Sequence, residues 1–194
     1  MMAITKLRLT KTCLLSFSAI VLGIMLPSTL SQLPAYTIDL GDGRTFFDKP
    51  PLLIRSVATF KSPNTPSEYL FTIFLPEDAG EPLQAVSIVQ KPNLEQIRFE
   101  LTKSRAFFGE GLSGGSSIPL AKVESEPTNP SEITIFFEEP VAPGNKVTVS
   151  IRAISNPNLG GVYHFGVTAF SIGENSPGLY LGSGRLDFTN LSER

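Results

Sequence analysis

Ser113 is the serine whose neighbours come nearest to a nucleophile motif. Gly111-Leu112-Ser113-Gly114-Gly115 fits G-x-S-x-G. That motif works where a strained strand-to-helix turn exposes the hydroxyl and helps build an oxyanion site. Here Glu110-Gly111 ends no clear strand, and Pro119 follows in an extended stretch. A Gly/Ser loop reproduces the pattern by chance. Any triad would also need His164, the sole histidine. Tyr163, Phe165, Val167 and Ala169 form an apolar row, so His164 falls on the opposite face with Val162, Gly166 and Thr168. That is the place of a solvent-facing or inter-loop histidine, not of a general base.

Metal chemistry has little to work with. With a single histidine and the only cysteine, Cys13, near the start of the chain, a transition-metal site would need several carboxylates, and calcium, which needs only oxygens, is harder to exclude. Asp39, Asp42 and Asp48 cluster at one turn, and Glu77, Asp78 and Glu81 at another. Neither has the D-x-D-x-D-G spacing of a calcium loop, so both read as solvated turn acids. Glu138 and Glu139 are adjacent, which puts them on opposite sides of a strand and unable to flank one glycosidic bond. No residue is assigned a catalytic, cofactor or metal role on these grounds, and no partner-binding residue is singled out.

The elements that would carry such residues begin after a leader. Lys6, Arg8 and Lys11 precede the apolar run Cys13 to Leu26, and Pro27 with small polar residues follows. This is the layout of a secretory signal peptide, with Thr29 and Ser31 as the small residues of a cleavage site after Ser31. The run is too short for a membrane anchor of about 20 apolar residues. Cys13 sits at its start, the wrong end for lipid attachment. Cleavage removes the only cysteine, so residues 32–194 are expected to fold outside the cytosol without a disulfide. Beyond Ser31, 13 basic residues stand against 18 acidic ones, a net charge of −5. That argues against a nucleic-acid partner, which needs a basic face to displace counterions. No second long apolar stretch follows, so no stable membrane span is expected in the mature chain.

Beyond the leader, prolines and glycines punctuate short runs rich in Val, Ile, Phe, Tyr and Thr. Strands are predicted at Tyr36–Leu40, Leu52–Phe60, Glu68–Leu75, Ala85–Gln90, Gln96–Leu101, Ile118–Val123, Glu132–Phe137, Lys146–Arg152, Val162–Phe170 and Arg185–Phe188. In Lys146–Arg152, Val147, Val149 and Ile151 point to a dry face, and Lys146, Thr148, Ser150 and Arg152 to a wet one. The Pro143-Gly144 turn predicts that Glu132–Phe137 and Lys146–Arg152 pair antiparallel. Tyr69, Phe71, Ile73 and Leu75 oppose Leu70, Thr72 and Phe74, the pattern of a central strand covered on both faces. Leu94, Ile97 and Leu101 also fall at helical spacing, although Ile97–Leu101 alternates equally well. Gly109–Ser117 and Glu124–Ser131 read as loops.

The whole predicts one all-β domain, an antiparallel immunoglobulin-like β-sandwich over 36–188, after a signal helix at 1–31 and before a short tail at 189–194. The 14 Phe and four Tyr, with no Trp, point to core packing more than to sugar platforms. The doublets Phe46-Phe47 and Phe107-Phe108 should each place one ring inward and one outward.

Four blocks carry a resemblance. They are YLFTIFLPEDAGEPLQAVSIVQ from Tyr69, FFEEPVAPGNKVTVSI from Phe136, NPNLGGVYHFGVTAF from Asn156 and LGSGRLDF from Leu181. Together the chain resembles an exported cyanobacterial family, domain of unknown function twenty-eight-oh-eight. The resemblance implies a periplasmic or envelope location and supplies no activity or catalytic residues. The expected function is a non-catalytic binding or structural module whose partner is an envelope protein or polysaccharide, with no cofactor. The alternative is an envelope-polymer or ester hydrolase using Ser113 or distant carboxylates. A third reading is a subunit that donates or accepts a strand. Oligomeric state stays open.

Overall fold

The computed structural model describes residues 45–110, 115–126, 128–173 and 176–189. The leader, the predicted strand Tyr36–Leu40 and Ser113 lie outside them. Among the described residues ten strands form: β1 (Leu52–Ala58), β2 (Ser67–Phe74), β3 (Leu83–Gln90), β4 (Phe99–Phe108), β5 (Ser117–Ile118), β6 (Leu120–Glu126), β7 (Asn129–Val141), β8 (Lys146–Ala153), β9 (Gly161–Ser171) and β10 (Leu179–Phe188). Sheet A has the order β1-β2-β8-β4-β5 and sheet B the order β10-β9-β3-β7-β6, all pairs antiparallel. The architecture is an all-β sandwich.

The core is the space between the sheets. From sheet A it receives Tyr69, Phe71 and Ile73 of β2 and Val147, Val149 and Ile151 of β8. From sheet B it receives Val86 and Ile88 of β3, Ile133, Ile135 and Phe137 of β7, and Tyr163, Phe165 and Val167 of β9. Aromatic rings join the layers edge to face: Phe165 lies 5.7 Å from both Tyr69 and Phe71, and Tyr163 lies 5.5 Å from Phe188. Burial of these rings and aliphatic rows is the main stabilising term, at roughly 25 cal/mol per Å² of apolar surface removed from water.

Three expectations need correction. First, β7 and β8 do not pair, because the Pro143-Gly144 turn carries the chain from sheet B to sheet A. Gly144 takes φ +84 there, and its N–H donates to Leu75 O. β8 instead lies between β2 and β4, because all three of its inward side chains must meet the core and both of its edges need partners. Second, the wet face of β8 is largely dry. Thr148 and Ser150 are fully buried, Thr148 sharing a 2.9 Å hydrogen bond with Thr72 and donating to Gly109 O at 2.7 Å. Third, Glu124–Ser131 is not a loop but the tight connection of a hairpin, with Glu126 opposite Asn129.

The predicted strand Gln96–Leu101 starts only at Phe99 and continues to Phe108. Residues 91–98 are neither strand nor helix, so the helical spacing of Leu94, Ile97 and Leu101 marks no helix. β4 escaped notice because it bulges: Glu100 faces Arg152, yet Arg105 already faces Ser150. Extra residues on one strand break the period-two pattern. The buried Ser104 hydroxyl has no partner in that bulge.

The sheet edges are blunted. β1, β10 and β6 each carry a register shift, and β5 is two residues long. In β10 the shift falls between Tyr180 and Gly182, and Gly182 adopts φ +116. Bulges and short edges are how sheets avoid pairing with other chains.

Candidate functional site

The β1–β2, β3–β4, β6–β7 and β8–β9 connections all fall at one end of the sandwich. We call this end the crown. Its central piece is the crossover 91–98, which leaves sheet B after Gln90 and enters sheet A at Phe99. Gln90 holds it in shape. Its Nε2 donates to Glu95 O at 2.7 Å and its Oε1 accepts the Ile97 N–H at 2.8 Å, so one buried side chain replaces the pairing that the strand has just lost.

The other loops are tied down as firmly. Asn156 is buried, and its Nδ2 donates to Phe60 O at 3.0 Å and Ser62 O at 2.8 Å. Its Oδ1 accepts the Tyr69 hydroxyl at 2.9 Å, and its N–H donates to Thr65 O. The Glu95 carboxylate accepts the N–H groups of Asn158 and Leu159. Tyr163 donates its hydroxyl to Leu159 O at 3.1 Å. Burial pushes the Tyr163 phenol above its ordinary range, and the Glu95 charge adds to the shift. Asn64, at φ +54, holds the β1–β2 turn and donates to Asn158 Oδ1.

On this braced frame the crown presents apolar side chains to solvent. Leu94 is 84% exposed, and Phe60, Ile154, Leu159 and Val162 are also exposed. Three clefts border the crossover. One of about 410 Å³ is lined mainly by Ile97, Phe99, Leu101, Ile133 and Ile154. One of about 400 Å³ has a mixed lining, with Lys91, Asn93, Gln96, Asn129 and Ser131 beside Val89 and Pro92. The third, about 160 Å³, lies by Asn64, Arg98 and Asn156. Apolar groups held rigidly beside convergent amides are suited to binding, and no pair of them forms an acid and a nucleophile.

The residues weighed from sequence lie elsewhere. His164 is exposed on the outer face of sheet B, opposite Arg185 of β10. Arg185 pairs with Asp187 of its own strand at 2.8 Å. Glu138 and Glu139 are both exposed near the end of β7. Asp78 pairs with Lys49 at 2.9 Å, and that hydrogen bond holds its carboxyl below the ordinary range. Asp48 packs against Gly80, while Glu81 is buried. Among the described residues no three His, Asp or Glu side chains converge as a metal site. No helix among them is long and apolar enough to cross a membrane. Phe46 is exposed with Phe47 packed on the core, as a doublet predicts; Phe107 and Phe108 are both half-buried.

The best-built polar cluster, on the outer face of sheet A, was not read from sequence. Glu68 accepts both Arg105 Nη2 contacts at 2.6 Å and the Ser150 hydroxyl at 3.1 Å, with Arg152 at 3.9 Å. It closes over β8 and accounts for the burial of Ser150. The crown was missed too. Its signal was Asn, Gln and Pro between isolated apolar residues, which reads as ordinary loop until the strands bring four such segments together.

The fold is similar to that of several solved bacterial surface domains. One is the collagen binding subdomain of Enterococcus faecalis surface protein ACE, at 8% identity over 72% of this chain and 98% of that one, with TM-score 0.45. Another is a collagen-binding domain from a Staphylococcus aureus adhesin, at 11% identity over 63% and 88%, with TM-score 0.34. A third is the group B streptococcus pilus 2b backbone protein, at 12% identity over 66% and 55%, with TM-score 0.41. At such identities and scores the likeness carries no argument about function. No curated protein matches the chain in sequence. A family model does match, over residues 44–188, and the chain belongs to that family: DUF2808, proteins of unknown function.

Proposed function

We propose that this chain is an exported, non-catalytic binding module of a bacterial cell envelope, which holds a protein or polysaccharide partner with its crown. The supporting observation is the contrast within that end. Leu94, Leu159 and Phe60 stand in solvent, while Gln90 and Asn156 spend part-buried hydrogen bonds, and Glu95 exposed ones, on fixing the loops that carry them. A rigid surface binds with less ordering cost than a mobile one. The blunted edges favour the crown over strand exchange as the contact. Among the described residues His164 stands opposite Arg185 across the ladder, and Asp187 is paired with that arginine, which lends the hydrolase reading no support. The leader read from sequence would carry the chain to a periplasmic or cell-surface location, and the cyanobacterial source implied by the sequence blocks fits that reading.

Capture from solubilised envelope fractions tests the proposal. The chain should recover a discrete partner or glycan. The double substitution Leu94→Asp with Leu159→Asp should lose it, and Leu52→Asp, on the β1 edge, should keep it. Equal recovery by the crown variant would refute the proposal.

A further inference from the structure

We propose that the outer face of sheet B carries a second binding site, for an acidic polysaccharide, centred on Tyr180 and Lys91. It shares Lys91 with the crown's edge but goes beyond the crown reading and does not depend on it. The Lys91 N–H donates to His164 O at 2.8 Å, which continues the β3–β9 ladder by one residue, and His164 faces Arg185 on β10. Lys91, His164 and Arg185 therefore stand in one row across three neighbouring strands, and all three are exposed. With strands about 4.8 Å apart, the row is roughly 10 Å long. Lys91 and Arg185 flank His164 on this row, and like charges on one face do not support a ladder. Nothing in the packing calls for them here.

Asp187 offsets Arg185, through Nε at 3.1 Å and Nη2 at 2.8 Å. Lys91 has no ion pair among the described residues. Its ammonium is held instead 5.1 Å from the centroid of the Tyr180 ring. Gly166 makes that possible. It is buried, two residues from His164 on the same face. A Cβ there would lie 2.9 Å from Lys91 Cε, 3.0 Å from Lys91 Nζ and 3.1 Å from Tyr180 Cε2. The Tyr180 ring is 53% exposed, and its hydroxyl shares a 2.7 Å hydrogen bond with Ser183.

An exposed tyrosine offers an apolar face and a polar edge, which suits a sugar ring. The Lys91 ammonium beside it, with the Asp187-paired Arg185 farther along the sheet, suits carboxylates. Together they select a sugar polymer that bears acid groups. The chain beyond Ser31 carries net charge −5, so it lacks the broad basic face that nucleic acid requires, and the attraction must be local.

Affinity electrophoresis and titration calorimetry of the full chain against polygalacturonate test the site, with dextran as the neutral polymer and single-stranded DNA as the polyanion without uronates. Polygalacturonate should bind, less tightly as salt rises, and dextran and DNA should not. Tyr180→Ala and Lys91→Met should each weaken binding roughly tenfold. Arg185→Ala should weaken it as well, and the crown double variant should bind as the native chain does. Both Tyr180 and Lys91 are exposed, so these variants should keep the native melting transition. Failure of polygalacturonate to bind would overturn the proposal. So would equal binding of DNA, or native affinity in the Tyr180 and Lys91 variants.

Discussion

The Tyr69 hydroxyl donates to Asn156 Oδ1 at 2.9 Å, with both side chains buried. Tyr69 stands on a central strand of sheet A with its ring among Phe99, Phe165 and Phe188. Asn156 stands in the β8–β9 loop and gathers the β1–β2 turn. One hydrogen bond thus joins the core to the crown. Tyr69→Phe should cost about 1–2 kcal/mol, because it leaves one buried acceptor unmet. Asn156→Ala should cost about 3 kcal/mol, because it strands the tyrosine hydroxyl and two loop carbonyls. Urea unfolding of the two variants checks the order; a smaller loss for Asn156→Ala would contradict it.

The same tyrosine sets an alkaline limit. Burial raises the Tyr69 phenol far above its ordinary range, and the nearby Tyr163 adds to the effect. An unfolded tyrosine ionises near pH 10. The folded state keeps its proton there while the unfolded state releases one. The contribution of Tyr69 is therefore complete below about pH 10 and is lost as pH rises beyond it. Unfolding midpoints measured from about pH 8 to about pH 11 should fall above about 10. The fall should be shallower in Tyr69→Phe.

Gly184 is a packing requirement. It is buried on β10, where a Cβ would lie 2.2 Å from Ser56 Oγ and 2.9 Å from Phe71 Cε1. Phe71 is locked in the core, so Gly184→Ala should cost about 1–3 kcal/mol. Gly166→Ala meets only the far ends of Lys91 and Tyr180, which can move aside. Its melting point should stay near the native value. A reversed order would show that the β1–β10 contact is loose.

All the sulfur in the chain lies near its start. Cys13 and Met1, Met2 and Met25 precede Ser31, and there is no tryptophan. Export with cleavage after Ser31 should give a mature chain that begins at Gln32. That chain should gain no oxygen on peroxide treatment, because the side chains that oxidise readily are gone. Intact mass before and after treatment checks both points. An oxygen adduct would mean that the leader is retained.

Strand positions were legible where burial is one-sided or complete. The row Tyr163, Phe165, Val167 and Ala169 put β9 in place and turned His164 outward, and the doubly apolar run from Tyr69 marked a central strand. Strand partners were not legible. Pro143-Gly144 serves a hairpin and an inter-sheet crossing equally well, because a turn fixes local dihedral angles and not the sheet that receives the next strand. Thr148 and Ser150 looked wet because their burial comes from Thr72, Glu68 and Arg105, distant in sequence. Thr102–Phe108 was hidden by the polar residues of its bulge. The crown and the Lys91–His164–Arg185 row exist only through the register of non-neighbouring strands, which no local spacing encodes.

Because β2 waits for β8, and β3 for β9, neither layer can close on the first half of the chain. Both sheets therefore depend on contacts between residues far apart in sequence. That high contact order slows folding, so a freshly made chain stays open for longer than one built from local pairings would.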